Sequence, residues 1–231
     1  MPKAQSPETL RANYERDGFL IVPNLLSGEE CARLKEEAHR VLNEVGKPGT
    51  TVCLYAALNN AAFRALSEDP RVVGLLSAVM PGGVMFLNDK IVFKAADRAF
   101  ATPWHIDYFY WKGTRPKVSV WIPLDDAAAE NGTLTVVPGS HLKEWKSKAG
   151  GVDGDFFNVA DSEEWKDTEV VTCAMERGGA VVFSDRLMHG STANTARKDR
   201  YVIIGTYQAP GADEPFDLDF PARKVLVPAG S

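Results

Sequence analysis

The chain has 231 residues, 45% of them hydrophobic and 25% charged, with a formal net charge of −5. That length suits one domain or two small ones, with a core large enough to need no staples. The acidic balance argues against a nucleic-acid-binding face, which needs clustered cations. An anionic small molecule stays open, because a pocket can be locally positive on an acidic protein.

Three cysteines, Cys31, Cys53 and Cys173, stand at long spacings that suggest neither a disulfide framework nor a zinc knuckle. The first residues lack the apolar stretch of a signal peptide, and no apolar run approaches the roughly 20 residues of a membrane span. With reduced thiols, these features set the expectation of a cytoplasmic chain, a monomer or homodimer, with no membrane or nucleic-acid partner. Neither an internal repeat nor a composition shift marks a linker, so residues 1–231 read as a single domain.

The N-terminal third reads helical. Ser6 and Pro7 open a short helix that runs to about Arg16 and ends at Asp17-Gly18. Residues 19–22 form a short apolar strand stopped by Pro23. Ser27 and Glu30 make a capping box for the next helix, where Cys31, Leu34, Ala38, Val41, Leu42 and Val45 recur at helical spacing before Gly46. A further helical region covers 61–79, broken near Asp69-Pro70. From Gly83 the texture changes to strands: 84–94, 117–124, 134–137, 169–173, 180–183 and 201–207. Asp125-Asp126, Asn131-Gly132, Pro138-Gly139-Ser140 and Gly178-Gly179 punctuate them as turns. Helices followed by many short strands predict a mainly β jelly roll with N-terminal helices packed on it.

Trp104-His105-Ile106-Asp107 is the first segment that carries chemistry. Residues i and i+2 of a strand point the same way, so His105 and Asp107 converge while Ile106 turns into apolar packing. An imidazole and a carboxylate make two of the three ligands of a facial iron triad. The third is a His from elsewhere, and the chain has only four His. His39 sits among charged residues of the capped helix and reads as a solvated surface residue. His141 closes a Pro-Gly-Ser turn and stands as the alternative ligand. His189 is preferred, because Arg200 follows eleven residues later at the start of a strand. An Arg fork clamps a carboxylate through charge-assisted hydrogen bonds, as a 2-oxoglutarate enzyme needs. Ser191 can add a hydroxyl to the same carboxylate, and Arg197 competes with Arg200.

Around these, Asn88, Lys90 and Lys94 share one strand face by the period-2 rule. Lys94 and Thr102 are candidates for the cosubstrate, while Asn88, Lys90, Tyr108 and Tyr110 are candidates for the substrate. Trp121 reads as core, and Asp125 and Asp126 as solvated strand-end carboxylates.

Several separate segments resemble, in order, the phytanoyl-CoA dioxygenase family of Fe(II)/2-oxoglutarate oxygenases. They are Asp17 to Pro23, Thr102 to Asp107, Val118 to Asp126, Glu130 to Leu134, Pro138 to His141, and His189-Gly190-Ser191 with Asn194 and Arg200. The resemblance implies a double-stranded β-helix, cupin-like, with iron inside its mouth. It implies His105, Asp107 and His189 as iron ligands and Arg200 and Ser191 as 2-oxoglutarate contacts, with O₂ as co-reactant. The family often has Gln where Ile106 stands, a position that points away from the metal. In related halogenases a small residue replaces the carboxylate, so Asp107 favours hydroxylation. A small polar metabolite or natural-product intermediate is the expected substrate, with desaturation or demethylation as alternative outcomes. A non-catalytic cupin-like binding protein is the rival, although such a protein leaves Arg200 unexplained. Residues after Tyr207 match nothing in the family pattern.

Overall fold

The computed structural model describes residues 5–45, 50–97, 100–111, 115–150, 158–161, 164–211 and 220–230. Local chemistry places the helices where the sequence signals stand. The Ser6 side chain accepts from Thr9 N, Pro7 is the first residue of α1 (Pro7–Asp17), and Gly18 ends it at φ 81°. The strand β1 (Phe19–Val22) follows. The capping box forms: Glu30 N donates to Ser27 Oγ at 3.2 Å and Ser27 N to Glu30 Oε2 at 2.7 Å, opening α2 (Gly28–Val45). Gly46, the expected stop, lies outside the described residues. The region 61–79 divides as expected into α4 (Ala61–Ser67) and α5 (Pro70–Val79), because Asp69 caps the second helix and Pro70 begins it. Before them come β2 (Val52–Leu54) and a single turn, α3 (Ala56–Asn59), which the sequence reading missed.

The strands are β3 (Val84–Lys94), β4 (Thr102–His105), β5 (Lys117–Pro123), β6 (Leu134–Val136), β7 (Ser147–Ala149), β8 (Asn158–Ala160), β9 (Val171–Thr172), β10 (Ala180–Ser184), β11 (His189–Ser191), β12 (Arg200–Gln208) and β13 (Lys224–Val227). The large sheet runs β1-β10-β5-β12-β3-β13 with β2 also on β3, and the small sheet runs β4-β11-β6-β9. Facing each other, they make the double-stranded β-helix expected from the sequence. The expected strand 169–173 shrinks to two residues, since its partner β6 is itself only three long. The part of the chain that matched nothing supplies β13, which lengthens the large sheet beyond β3.

Period-2 alternation gives the large sheet two different faces. Val118, Val120, Ile122, Tyr201, Ile203 and Tyr207 pack outward against Leu34, Ala38, Phe63, Val72 and Leu76 of the helices. Trp121, Val181, Phe183, Val202 and Ile204 pack inward against Leu134 and Val136 of the small sheet. Trp121 is therefore core, as read. Asp125 is a correction: it bonds Lys35 Nζ and the Tyr201 main-chain N–H, and so ties α2 to β12 instead of ending a strand in solvent. His39 is exposed, as expected, although its Nδ1 meets Tyr201 Oη at 3.0 Å. No helix among the described residues is long and apolar enough to cross a membrane.

Candidate metal and cosubstrate site

His105 ends β4 and His189 opens β11, and the two pair directly across the small sheet. Asp107 does not continue the strand, as the sequence reading had it. It begins a 3-10 turn, Asp107–Tyr110. The convergence of His105 and Asp107 survives because Ile106 between them stays extended, at φ −119° and ψ 140°. Ile106 itself is buried with Phe109, Val137, Trp165 and Met188, as the alternation requires. The turn is pinned to the large sheet, Tyr108 N donating to Asp185 O and Asp185 N to Lys117 O.

His105, Asp107 and His189 are all buried, with one potential ligand atom from each within 4.8 Å of the others. Each imidazole has its Nδ1 on a carbonyl: Pro103 O at 2.8 Å for His105 and Leu187 O at 2.9 Å for His189. A carbonyl only accepts, so Nδ1 carries the proton and the Nε2 lone pair is turned to Asp107, 3.6 and 3.9 Å from its Oδ1. Burial, reinforced by the neighbouring His105, pushes the His189 pKa down to about 3, which keeps its ring neutral as a ligand must be. For Asp107 burial works against the charge, but Lys90 and the two imidazoles outweigh it and hold the carboxyl below the usual range. Ser119 Oγ lies 3.5 Å from Asp107 Oδ2.

A second cluster lies along the inner face of the large sheet. Arg200 and Lys94 pair across β12 and β3, both buried. Arg200 donates from Nε to Asn131 O at 3.1 Å and stacks 5.8 Å over Trp121, while its Nη1 is buried with no hydrogen-bond partner among the described residues. Burial pushes its pKa down to about 10, so it stays charged near neutrality. A buried guanidinium N–H with no acceptor is costly, and this one fits an anionic ligand. Ser191 faces Lys94, with Oγ 2.8 Å from its Nζ, and Thr102 N donates to the same oxygen at 3.3 Å. Arg197, the competitor, is exposed.

The remaining candidates scatter more. Lys90 and Asn88 share the inner face with Lys94, and Asn88 sits opposite Thr206, whose other neighbour is Ser119. Tyr110 places its ring 6.5 Å from that of His105, edge to face, and donates to Asn158 O. Tyr108 stacks under Arg186, 4.0 Å from its guanidinium carbon. Both follow 3-10 geometry, so alternation does not apply to them. His141 is no part of the triad; it accompanies α1 through Glu15 O. Sequence reasoning missed Ser119, although strand alternation already set it on the Trp121 face. It also missed Asp185 and Gln208, buried acceptors with oxygens lacking partners. Burial raises the Asp185 pKa to about 7. Neither carries a motif.

The model of the phytanoyl-CoA dioxygenase (PhyH) family matches residues 14–202. The peroxisomal phytanoyl-CoA dioxygenase of Rattus norvegicus is 27% identical over 85% of this chain, which spans 67% of that relative's length. The L-proline trans-4-hydroxylase of Streptomyces griseoviridis is 28% identical over 85% of this chain and 84% of its own. EvdO2 of Micromonospora carbonacea var. aurantiaca, solved with 2-oxoglutarate, superposes with a TM-score of 0.76 at 22% identity, covering 92% of this chain and 94% of that one; at that identity it speaks for the fold. The chain belongs to the phytanoyl-CoA dioxygenase family of Fe(II)- and 2-oxoglutarate-dependent oxygenases.

Proposed function

We propose that His105, Asp107 and His189 hold Fe(II), that Arg200 and Ser191 bind the distal carboxylate of 2-oxoglutarate, and that the enzyme hydroxylates a small polar metabolite or natural-product intermediate. The observation that carries this reading is the pairing of a buried His-Asp-His cluster with an orphaned, buried Arg200 Nη1 on the facing sheet. A buried guanidinium with one N–H group left without an acceptor, on the sheet facing a ready metal site, calls for a dianion that reaches both.

When bound, iron and 2-oxoglutarate together supply the oxidant, with release of succinate and CO₂. This chain's residues do the rest. The Nδ1 bonds to Pro103 and Leu187 aim both imidazoles. The charged Asp107 balances the metal and leaves no position for a halide. Thr102 and Lys94 flank the distal carboxylate. Asn88, Lys90, Tyr108 and Tyr110 surround the approach to the metal and orient substrate. Burial of the triad keeps bulk water away.

The test is succinate release over a metabolite panel, with mass detection of a gain of one oxygen in the consumed compound. A loss of two hydrogens or of a methyl group would reassign the outcome to desaturation or demethylation. Fe(II)-dependent succinate formation that survives unchanged in His105→Ala would refute the ligand assignment.

A further inference from the structure

Lys94 closes β3 on the inner face, fully buried and opposite Arg200. Its Nζ donates to Ser191 Oγ, to Phe100 O at 3.0 Å and to Thr192 O. An ammonium has three protons and no lone pair, so the protein takes up all of its hydrogen-bonding capacity. The backbone is shaped to this cradle: Gly132 is at φ +80°, and a Cβ there would stand 2.8 Å from Lys94 Nζ and 2.6 Å from Thr192 O.

Ser191 Oγ receives Lys94 Nζ at 2.8 Å and Thr102 N at 3.3 Å. A hydroxyl offers two lone pairs and one proton. Neither partner can accept, because an ammonium and an amide N–H only donate. Both lone pairs are therefore committed, and the Ser191 proton is available only to an incoming acceptor. Across the same rung stands Arg200 with its unpartnered Nη1.

We infer that Lys94 is a positioning residue that makes Ser191 an obligate hydrogen-bond donor to the distal carboxylate of 2-oxoglutarate, without itself touching the cosubstrate. The inference rests on the cosubstrate site proposed above. It separates two roles that charge alone would merge: Arg200 meets the carboxylate, and Lys94 acts through a hydroxyl. It also accounts for keeping an ammonium in a buried place beside a guanidinium, where burial and then the Arg200 charge push its pKa down to about 7. A neutral amine has a lone pair and would take the Ser191 proton for itself.

The experiment is a double-mutant cycle on 2-oxoglutarate affinity, measured by calorimetry on oxygen-free Fe(II) protein. Lys94→Met and Ser191→Ala should each weaken binding about tenfold, as loss of a hydrogen bond to a charged group does. The double variant should be no weaker than Ser191→Ala, because one effect runs through the other. Multiplied effects would overturn the inference and make Lys94 a direct electrostatic contact. A second measurement needs no Lys94 variant. Affinity in the wild type should fall as pH rises through about 7, the ammonium being lost, and in Ser191→Ala that fall should vanish. Arg200, the charged group facing Lys94, keeps its proton through this range, and Asp185, which burial brings to about 7 on the same inner face, is silenced by making both measurements on an Asp185→Asn background. A fall that persists without the hydroxyl refutes the relay. Failure of the wild type to bind 2-oxoglutarate would defeat the function reading itself, whereas normal binding with multiplied effects defeats only this step.

Discussion

The two faces of the large sheet are built from the same strands and finished in opposite ways. Outward, Ile203, Tyr207, Val120 and Phe86 meet helix side chains, and the chain itself completes the packing. Even the polar tip of Tyr207 is satisfied, donating to Ser67 O at 3.1 Å. Inward, the neighbours of those residues include Arg200, Lys94, Lys90, Asn88 and Ser119. There a buried guanidinium N–H and three buried acceptor oxygens, two on Asp185 and one on Gln208, have no partner among the described residues. The outer face is a structure in its own right; the inner face becomes one when its ligands arrive. Stability and function are therefore expected to separate by residue parity along a single strand.

The largest effect should come from the metal end. His189→Ala removes one of three ligand atoms, and both Fe(II) binding and succinate formation should be lost. Circular dichroism should meanwhile show the fold retained, since the outer core is untouched. Next comes Ile203→Ala on the outward side of β12, where a side chain only 3% exposed leaves a cavity. It should cost about 2–4 kcal/mol in urea denaturation, by a similar amount with and without 2-oxoglutarate. An Ile203→Ala cost that disappeared on adding cosubstrate would break the division between the faces. Arg200→Leu sharpens it from the other side. Removing a buried cation with an orphaned N–H should raise ligand-free stability by about 1 kcal/mol, or about 2–4 °C in melting temperature. The same change should abolish the melting shift that 2-oxoglutarate gives the wild type.

What the sequence makes legible follows from the range of the interaction. The Ser6 and Ser27 caps were readable because a cap is satisfied within three residues. The alternation along 117–123 is local, so it already separates Trp121 and Ser119 from Val118, Val120 and Ile122; which of the two faces turns inward is decided by the facing small sheet. His105 and Asp107 converge because one extended residue lies between them. His189 was reachable only through the scarcity of His and the spacing to Arg200, since the pairing of β11 with β4 joins residues far apart in the sequence, His189 to His105. Asp185 was not legible at all. Its burial is produced by contacts with Lys117 and the Asp107 turn, both far away in sequence. For the same reason β13 was invisible: a short exposed strand gains its identity from the edge of β3.

A pH-dependent effect tests the outer face for its own polar exception. Asp89 is 2% exposed, and its carboxylate accepts from Ala57 N at 2.9 and 3.0 Å, tying α3 to β3. Burial outweighs that hydrogen bond and raises its pKa from 3.8 to about 6. Between about pH 4 and 6 the unfolded chain has already released this proton while the folded chain retains it. Folding stability from this group therefore falls as pH rises through that window and levels off above it. The loss is on the order of 2 kcal/mol, from a shift of about two units at about 1.4 kcal/mol each, reduced for relaxation. Asp89→Asn keeps an oxygen for Ala57 N and removes the titration. Urea denaturation of both proteins at pH 4.5 and pH 7 isolates the group, because every other carboxylate cancels in the difference. The variant should gain on the wild type as pH rises, and 2-oxoglutarate should leave that gain unchanged. A gain that depended on cosubstrate would couple the two faces through β3, where Asp89 and Lys90 are neighbours in the chain but point to opposite sides.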